Sequence, residues 1–411
     1  MKHNSINWKC PFIFMVAALL SGVSFSALAA GPAFTGLAAK ADTAETVFLN
    51  PAGMSRMKQP AFYGNPQFIY TESNTEVSVQ GQSSKQTIDS DGFIFLPGLY
   101  YVRPLNDRWS FGIGPNAASG LGATYNDNWA GRYLVEEWSE VFIGVVPSVS
   151  YRVNDALSIG FSLSLNYSLF TLEKAVFNGP GQADGSFVLE ADGIGVGANL
   201  GFLYEFNPLS RIGIVYRSEV KAEDEGTPDI SGLSNARRTL LENAGVLNQE
   251  ISMDTNIPQS VLAGIFHDFD NGWTMSADIL WLDFSEWNID NITIGDTTIS
   301  KDSTDYQDIW VTSLGATYAL RPDWSLRGGV LYLSSAVEDE DRTLMTRYDA
   351  MWAIGGGVEH AFRNKRKVAV DLTYFQFGDG EFAVSNVPVV GSIRGEYETN
   401  YGISLGVSTT W

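Results

Sequence analysis

Leu157-Ser158-Ile159-Gly160-Phe161-Ser162-Leu163-Ser164-Leu165-Asn166-Tyr167-Ser168-Leu169 alternates one large apolar side chain with one small or polar one along its whole length. Side chains on a β-strand point to opposite faces in turn, so this stretch has one greasy face and one small, polar face. The same period returns at Ile194-Gly195-Val196-Gly197-Ala198-Asn199-Leu200-Gly201-Phe202 and at Tyr401-Gly402-Ile403-Ser404-Leu405-Gly406-Val407. A soluble sandwich and a membrane barrel both alternate in this way. Connection length, an internal repeat and aromatic placement separate them.

Working outward from residue 157, fourteen strand candidates begin near residues 60, 92, 109, 138, 156, 186, 209, 252, 273, 306, 323, 350, 367 and 396. Every second connection is tight, around Asn106, Asn154, Asn207, Asn271, Pro322 and Asn364, and the others are long. Short turns at one end and long loops at the other, with an even strand number, are the habit of outer-membrane barrels. Asp107-Arg108-Trp109-Ser110, Asn271-Gly272-Trp273-Thr274 and Asp323-Trp324-Ser325 repeat at short turns, so the repeating unit is a hairpin. Trp109, Trp273, Trp324 and Trp411 fall at one level, and Trp138, Trp310 and Trp352 at the other. Two aromatic belts match the two membrane interfaces. The fold expected is all-β: a transmembrane antiparallel barrel of about fourteen strands. Closure is required, because hydrocarbon offers an open sheet edge no hydrogen bonds.

Composition agrees. The 411 residues are 45% hydrophobic and 13% aromatic, too apolar for a disordered chain. Beyond residue 30 no run approaches the ~18 apolar residues of a spanning helix. A net charge of -21 excludes nucleic acid as a partner. Lys2 and Lys9, the apolar run Phe12–Leu20 and Ala27-Leu28-Ala29 make a secretory leader over residues 1–29. Cys10, the single cysteine, lies in that leader, so disulfides and cysteine-based metal sites are excluded. No metal or cofactor is expected.

Fourteen strands enclose more space than their own side chains fill, since about eight already suffice. Residues 30–59 lack the alternation but carry Phe34, Leu37, Val47, Phe48, Leu49 and Met54. A free tail has no use for these, so the segment is expected to fold back as a hatch plugging the lumen. The domain division is then a leader over 1–29, a hatch over 30–59 and a barrel over 60–411.

Ala30-Gly31, Gly36-Leu37-Ala38-Ala39-Lys40-Ala41-Asp42-Thr43-Ala44 and Asn50-Pro51-Ala52-Gly53 resemble the start of the FadL family of outer-membrane long-chain fatty-acid transporters. Asp127-Asn128-Trp129-Ala130-Gly131-Arg132-Tyr133, Pro147-Ser148-Val149-Ser150-Tyr151-Arg152, Tyr216-Arg217-Ser218 and Ile257-Pro258-Gln259-Ser260 agree in order and spacing. The resemblance implies a fourteen-stranded barrel, an N-terminal hatch and passive uptake of hydrophobic molecules across the outer membrane of a Gram-negative bacterium. It implies long-chain fatty acids first. An aromatic-hydrocarbon transporter of the same family and a general porin are the alternatives. Contact with outer-membrane lipid and lipopolysaccharide, and a monomer, are expected.

Assigning the apolar parity to lipid leaves a lumen that is charged below and greasy above. Thr274, Ser276 and Asp278 point inward below Leu280, Leu282 and Phe284. Arg327 lies below Leu331 and Leu333, and Asp371 below Phe375 and Phe377. The greasy half suits an acyl chain or aromatic ring. Arg217 and Arg327 face inward, where each either meets a ligand carboxylate or pairs with Asp278, Glu359, Asp371, Asp42 or Glu45. Gly112, Gly114 and Pro115 disturb the third strand; the family resemblance implies an inward kink there that opens a lateral gap. Ser234 and Gly245 bracket a helical stretch in a long loop, and residues 219–225 and 338–341 form acidic runs read as solvated faces of the external loops. A lipid hydrolase needs a nucleophile, a base and an orienting partner. The mature chain offers only His267 and His360, both near a short-turn end, so no catalytic residue is assigned.

Overall fold

The computed structural model describes residues 33–411 except 80–85, 126–127, 288, 296, 299–304, 343, 345–348, 365 and 388. The leader with Cys10, Ala30-Gly31 and Asp127 lie outside the described residues.

The chain forms a closed antiparallel barrel of 14 strands. Several strands are broken once, mostly at proline, which cannot donate to the ladder. In order they are β1 (Ala61–Gly64 and Gln67–Val79), β2 (Gln86–Leu96 and Leu99–Pro104), β3 (Trp109–Ile113 and Pro115–Thr124) and β4 (Glu137–Val145 and Ser148–Arg152). Next come β5 (Leu157–Val176), β6 (Gly185–Asn207), β7 (Ser210–Arg217 and Val220–Gly226), β8 (Ile251–Ile257 and Ser260–Asp268) and β9 (Trp273–Leu282 and Ile289–Ile294). The last are β10 (Ile309–Arg321), β11 (Trp324–Leu333), β12 (Met351–Ala361), β13 (Lys367–Phe377 and Gly380–Val387) and β14 (Gly391–Thr410). β14 pairs with β13 on one side and β1 on the other, which closes the ring.

Each tight turn except the one at Pro322 is held by its asparagine. Asn106 Oδ1 accepts from the N–H groups of Arg108 and Trp109, Asn154 from Ala156 and Leu157, and Asn207 from Leu209 and Ser210. That local bond to the backbone two or three residues on is why asparagine recurs there.

Ile159, Phe161, Leu163 and Leu165 face outward; Ser158, Ser162 and Ser164 are buried inward. Trp109, Trp273, Trp324 and Trp411 form one outward belt, with Tyr151 and Tyr318 beside them. Trp310 and Trp352 mark the other belt. Trp138 departs from expectation: it is fully buried in the lumen. Upper β4 buries Ser139 and Val141 as well as Trp138 and Glu140, so large apolar size no longer marks the lipid face there.

Residues 33–57 lie inside the barrel. They form a short helix, α1 (Thr46–Leu49), and a 3₁₀ turn (Pro51–Arg56). Phe34, Leu37, Val47, Phe48, Leu49 and Met54 are all buried.

Candidate ligand site in the plugged lumen

The hatch is bonded to the wall along β4–β7 and on β9. Asn50 is its hub: Nδ2 donates to the carbonyls of Ala38 (2.8 Å) and Phe202 (3.1 Å), and Oδ1 accepts from the Ala52 N–H (3.1 Å). Asp278 on β9 accepts from the N–H groups of Gly36 (2.7 Å) and Ala38 (3.0 Å). Ser148 Oγ donates to the Val47 carbonyl at 3.1 Å, and Ser55 Oγ to Ser158 Oγ at 2.7 Å. Arg211 Nε donates to the Ala39 carbonyl at 2.6 Å, Arg152 donates to Ser55, and Arg56 pairs with Glu205. The Gly213 Cα lies against the Ala38 carbonyl, and the Gly160 Cα against Pro51 and Ala52, so a side chain at either position meets the hatch backbone. Glu45, on the hatch rather than on a spanning strand, is sealed in; burial pushes its carboxyl up to about 8, against a 3.3 Å hydrogen bond from the Asn65 amide.

Below the hatch the lumen is ionic. Arg327 binds Asp371 through two nitrogens, Nε to Oδ1 at 3.1 Å, and its Nη1 lies 3.8 Å from Glu359. Lys367 Nζ donates to Glu359 at 2.9 Å. Lys40 and Asp42 of the hatch join this cluster. The guanidinium of Arg327 is thus paired with wall carboxylates, the second of the two arrangements the sequence allows.

Arg217 sits differently. Nη2 donates to the hatch carbonyls of Leu49 (3.2 Å) and Phe48 (3.5 Å), and the group stands 5.3 Å from the centre of the Phe48 ring. Its Nε is sealed from solvent without a partner, and among the described residues no carboxylate pairs with it. It borders a cavity of about 60 Å³ whose apolar lining includes Leu37, Phe48, Leu49, Val220, Ile257, Leu262, Leu280 and Leu282. A water's share of liquid volume is about 30 Å³, so the space admits a headgroup but not an acyl chain.

The other inward residues lie in the upper core. Phe284 is stacked on Trp287 with ring centres 5.3 Å apart, and Tyr306 meets both edge-on. Leu331, Leu333 and Phe377 are buried there, and Phe375 stacks on Phe34 of the hatch at 5.6 Å. The vertical gradient of polarity holds on β9–β14. On the β4–β8 side buried carboxylates reach the upper half, beneath an apolar cluster of Phe170, Leu189, Ala191, Ile251 and Met253: Asp224 accepts from Ser168 and Thr255 at 2.9 Å and Glu140 from Trp287 at 3.3 Å. Asp224 belongs to the acidic run 219–225. That run is mostly strand rather than loop, with Asp224 turned inward and Glu223 and Glu225 outward.

The glycines of β3 make room. A β-carbon at Gly112 overlaps Val47 and Met54 of the hatch, and one at Gly114 overlaps the Tyr100 ring. β3 pairs with β2 only over Ser110–Ile113, and among the described residues no ladder joins its upper half, Pro115–Thr124, to β2. In the loop before β8, α2 (Asn235–Asn243) is capped by Ser234 and followed by Gly245 at φ 68°, as the sequence suggests. None of its residues is buried; Leu247 beyond it is. In the run 338–341, Asp339 accepts from the buried Arg342 at 2.9 Å. His267 and His360 pack on Phe269 and Trp324 near the lower belt.

The family described as outer membrane protein transport protein (OMPP1/FadL/TodX) matches residues 14–410. The chain is 26% identical over 378 residues to a long-chain fatty acid transport protein of Salmonella typhi, covering 85% of each chain. It is 28% identical over 376 residues to a 47 kDa outer membrane protein of Pasteurella multocida, covering 86% of this chain and 85% of that one. Among solved structures, a FadL homologue of Pseudomonas aeruginosa superposes with a TM-score of 0.80 at 16% identity, covering 96% of this chain and 99% of that one. The toluene transporter TodX of Pseudomonas putida superposes with a TM-score of 0.65 at 19% identity, over 96% and 99%. A plugged barrel with outward aromatic belts, matched by this family along nearly its whole length, places the chain in the OMPP1/FadL/TodX family as an outer-membrane transporter of hydrophobic compounds in a Gram-negative bacterium.

Proposed function

We propose that the cargo is a long-chain fatty acid, bound with its carboxylate on Arg217 and its chain in the apolar upper lumen. The observation that carries this is the buried Arg217 Nε without a partner, beside an apolar cavity and away from any paired carboxylate. A guanidinium presents a fork of donors matched to a carboxylate, and a buried cation needs an anion. An aromatic hydrocarbon leaves that donor unmet. The first relatives support the same cargo, being long-chain fatty acid transport proteins, whereas the toluene transporter TodX, within the same family, is 19% identical.

The hatch, residues 30–59, acts as the closure of the lumen. The carboxylate competes with the Phe48 and Leu49 carbonyls for the Arg217 donors, so binding loosens the hatch where the chain needs room. The chain then leaves sideways beside upper β3, where the ladder to β2 is missing. The ionic lower lumen opposes the straight path, because each CH₂ moved out of an apolar site costs about 0.8 kcal/mol. Catalysis forms no part of this reading.

A host stripped of its own long-chain fatty-acid transporter, and producing this chain, imports labelled oleate saturably, and toluene does not compete. Import of toluene without oleate overturns the reading. Pro115→Val returns a ladder N–H to β3 and slows oleate import without weakening binding; full import by that variant argues against the strand-3 route.

A further inference from the structure

The wall has a second interrupted seam, between β6 and β7. Its lower end is tied at Ala198 and Ser218: the Ser218 N–H donates to the Ala198 carbonyl and the Ala198 N–H to Ser218 Oγ, both at 2.9 Å. Its upper end is tied by the pair Asp192–Glu225. Between these ties no ladder pair joins residues 193–197 of β6 to residues 219–224 of β7. The other edge of the same strand is paired without a break from Gly185 to Tyr204. At about 3.3 Å per residue the six steps between the ties make an unpaired stretch about 20 Å long.

Upper β7 laps over the inner face of β6 instead of lying beside it. A β-carbon built on Gly195 meets Val220 Cγ1 at 2.6 Å and the Lys221 carbonyl at 2.9 Å, and one built on Gly197 meets Val220 Cγ2 at 2.7 Å. The alternating glycines of β6, which the sequence shows only as the small face of a strand, are what let β7 lie there. On the outer side Ile194 and Val196 are 75% and 56% exposed, Ile194 being the most exposed large apolar residue described. Ile194 pairs with Tyr167 on β5, whose ring is also turned outward. Val220 lines the Arg217 cavity on its other side. Val220 therefore stands, with the backbone carbonyls of Lys221 and Glu223 beside it, between the cavity and the seam, and hydrocarbon begins beyond the seam.

We infer that this seam is a second lateral portal, with Val220 as its shutter, through which an apolar chain seated at Arg217 passes into the outer leaflet. An unpaired strand edge facing lipid is costly; confined between two ties and covered by a lapped strand, it persists where a passage uses it. The portal is separate from the strand-3 gap, and it rests on the fatty-acid reading of Arg217.

The test uses a disulfide. The mature chain is expected to lack cysteine, so Gly195→Cys with Val220→Cys places the sole pair. A β-carbon 2.6 Å from Val220 Cγ1 is at most about 4.1 Å from Val220 Cβ, within bridging range. Oleate import by cells carrying the double variant, with the bridge confirmed by thiol labelling, is expected to fall at least by half on oxidation and to recover with reductant. Oleate affinity of the purified oxidised and reduced forms is measured alongside, because Val220 lines the Arg217 cavity, and the fall in import is scored at equal occupancy. Equal import by oxidised and reduced forms overturns the portal and leaves the fatty-acid reading standing. A reduced form that neither binds nor imports oleate, alongside a wild type that does neither, overturns both. Where no bridge forms, Val220→Ala decides: removing the shutter methyls raises import, and import at the wild-type rate overturns the portal.

Discussion

Truncating Asn50 to alanine removes the hub of the hatch. Its amide makes three hydrogen bonds, to the Ala38 and Phe202 carbonyls and from the Ala52 N–H, at 2.8, 3.1 and 3.1 Å. Asn50 is buried, and both the hatch backbone and the β6 wall supply its partners. A neutral buried hydrogen bond contributes roughly 1 kcal/mol net, so three contribute about 3 kcal/mol to the docked hatch. At 1.4 kcal/mol per tenfold, Asn50→Ala raises the fraction of undocked barrels roughly a hundredfold. The assay is single-channel recording in a planar bilayer, where an undocked hatch appears as an open state. The variant is checked first for the folded, heat-modifiable gel mobility of an intact barrel. An intact Asn50→Ala barrel whose open probability equals that of wild type refutes the reasoning, because the side chain then holds nothing that blocks ions.

Two further outcomes follow from the same contacts. Burial holds the Glu45 carboxyl at about 8, so the docked hatch keeps a proton that the free segment loses near the ordinary carboxylate value. Docking is therefore firmest below about pH 4.5 and weakens as the pH rises through about 8; open probability rises over that window, and Glu45→Gln flattens the profile. Arg327→Met strands Asp371 and Glu359, which cost about 3–5 kcal/mol when a buried pair loses one partner; the unfolding temperature falls, and adding Asp371→Asn recovers part of the loss.

The strands were legible because a barrel wall separates lipid from lumen, which forces alternation at Leu157–Leu169 and its counterparts. The asparagine turns were legible because their bonds are local. Trp138 was misread because the rule that large apolar residues face lipid stops where the lumen itself is greasy. Asp224 was misread because a run of acids looks solvated until one in two is turned inward. Parity placed Arg217 and Arg327 in the lumen alike; what separates them is a carboxylate 44 positions along the chain at Asp371 for one, and two hatch carbonyls for the other. Gly112 and Gly114 carried a signal of irregularity, yet the reason for them, the hatch and the Tyr100 ring, lies on other segments. The β6–β7 seam left no mark beyond small residues at alternate positions.

Equilibrium binding of oleate and of its methyl ester to wild type and to Arg217→Ala tests the central claim most directly. The two ligands share one chain and differ in the charge that Arg217 is held to receive. A charged hydrogen bond contributes roughly 1.5–3 kcal/mol, so Arg217→Ala weakens oleate roughly tenfold or more and leaves the ester nearly unchanged. Equal loss for both ligands, or no loss for oleate, contradicts the account and leaves Arg217 as a strut between the hatch and β7.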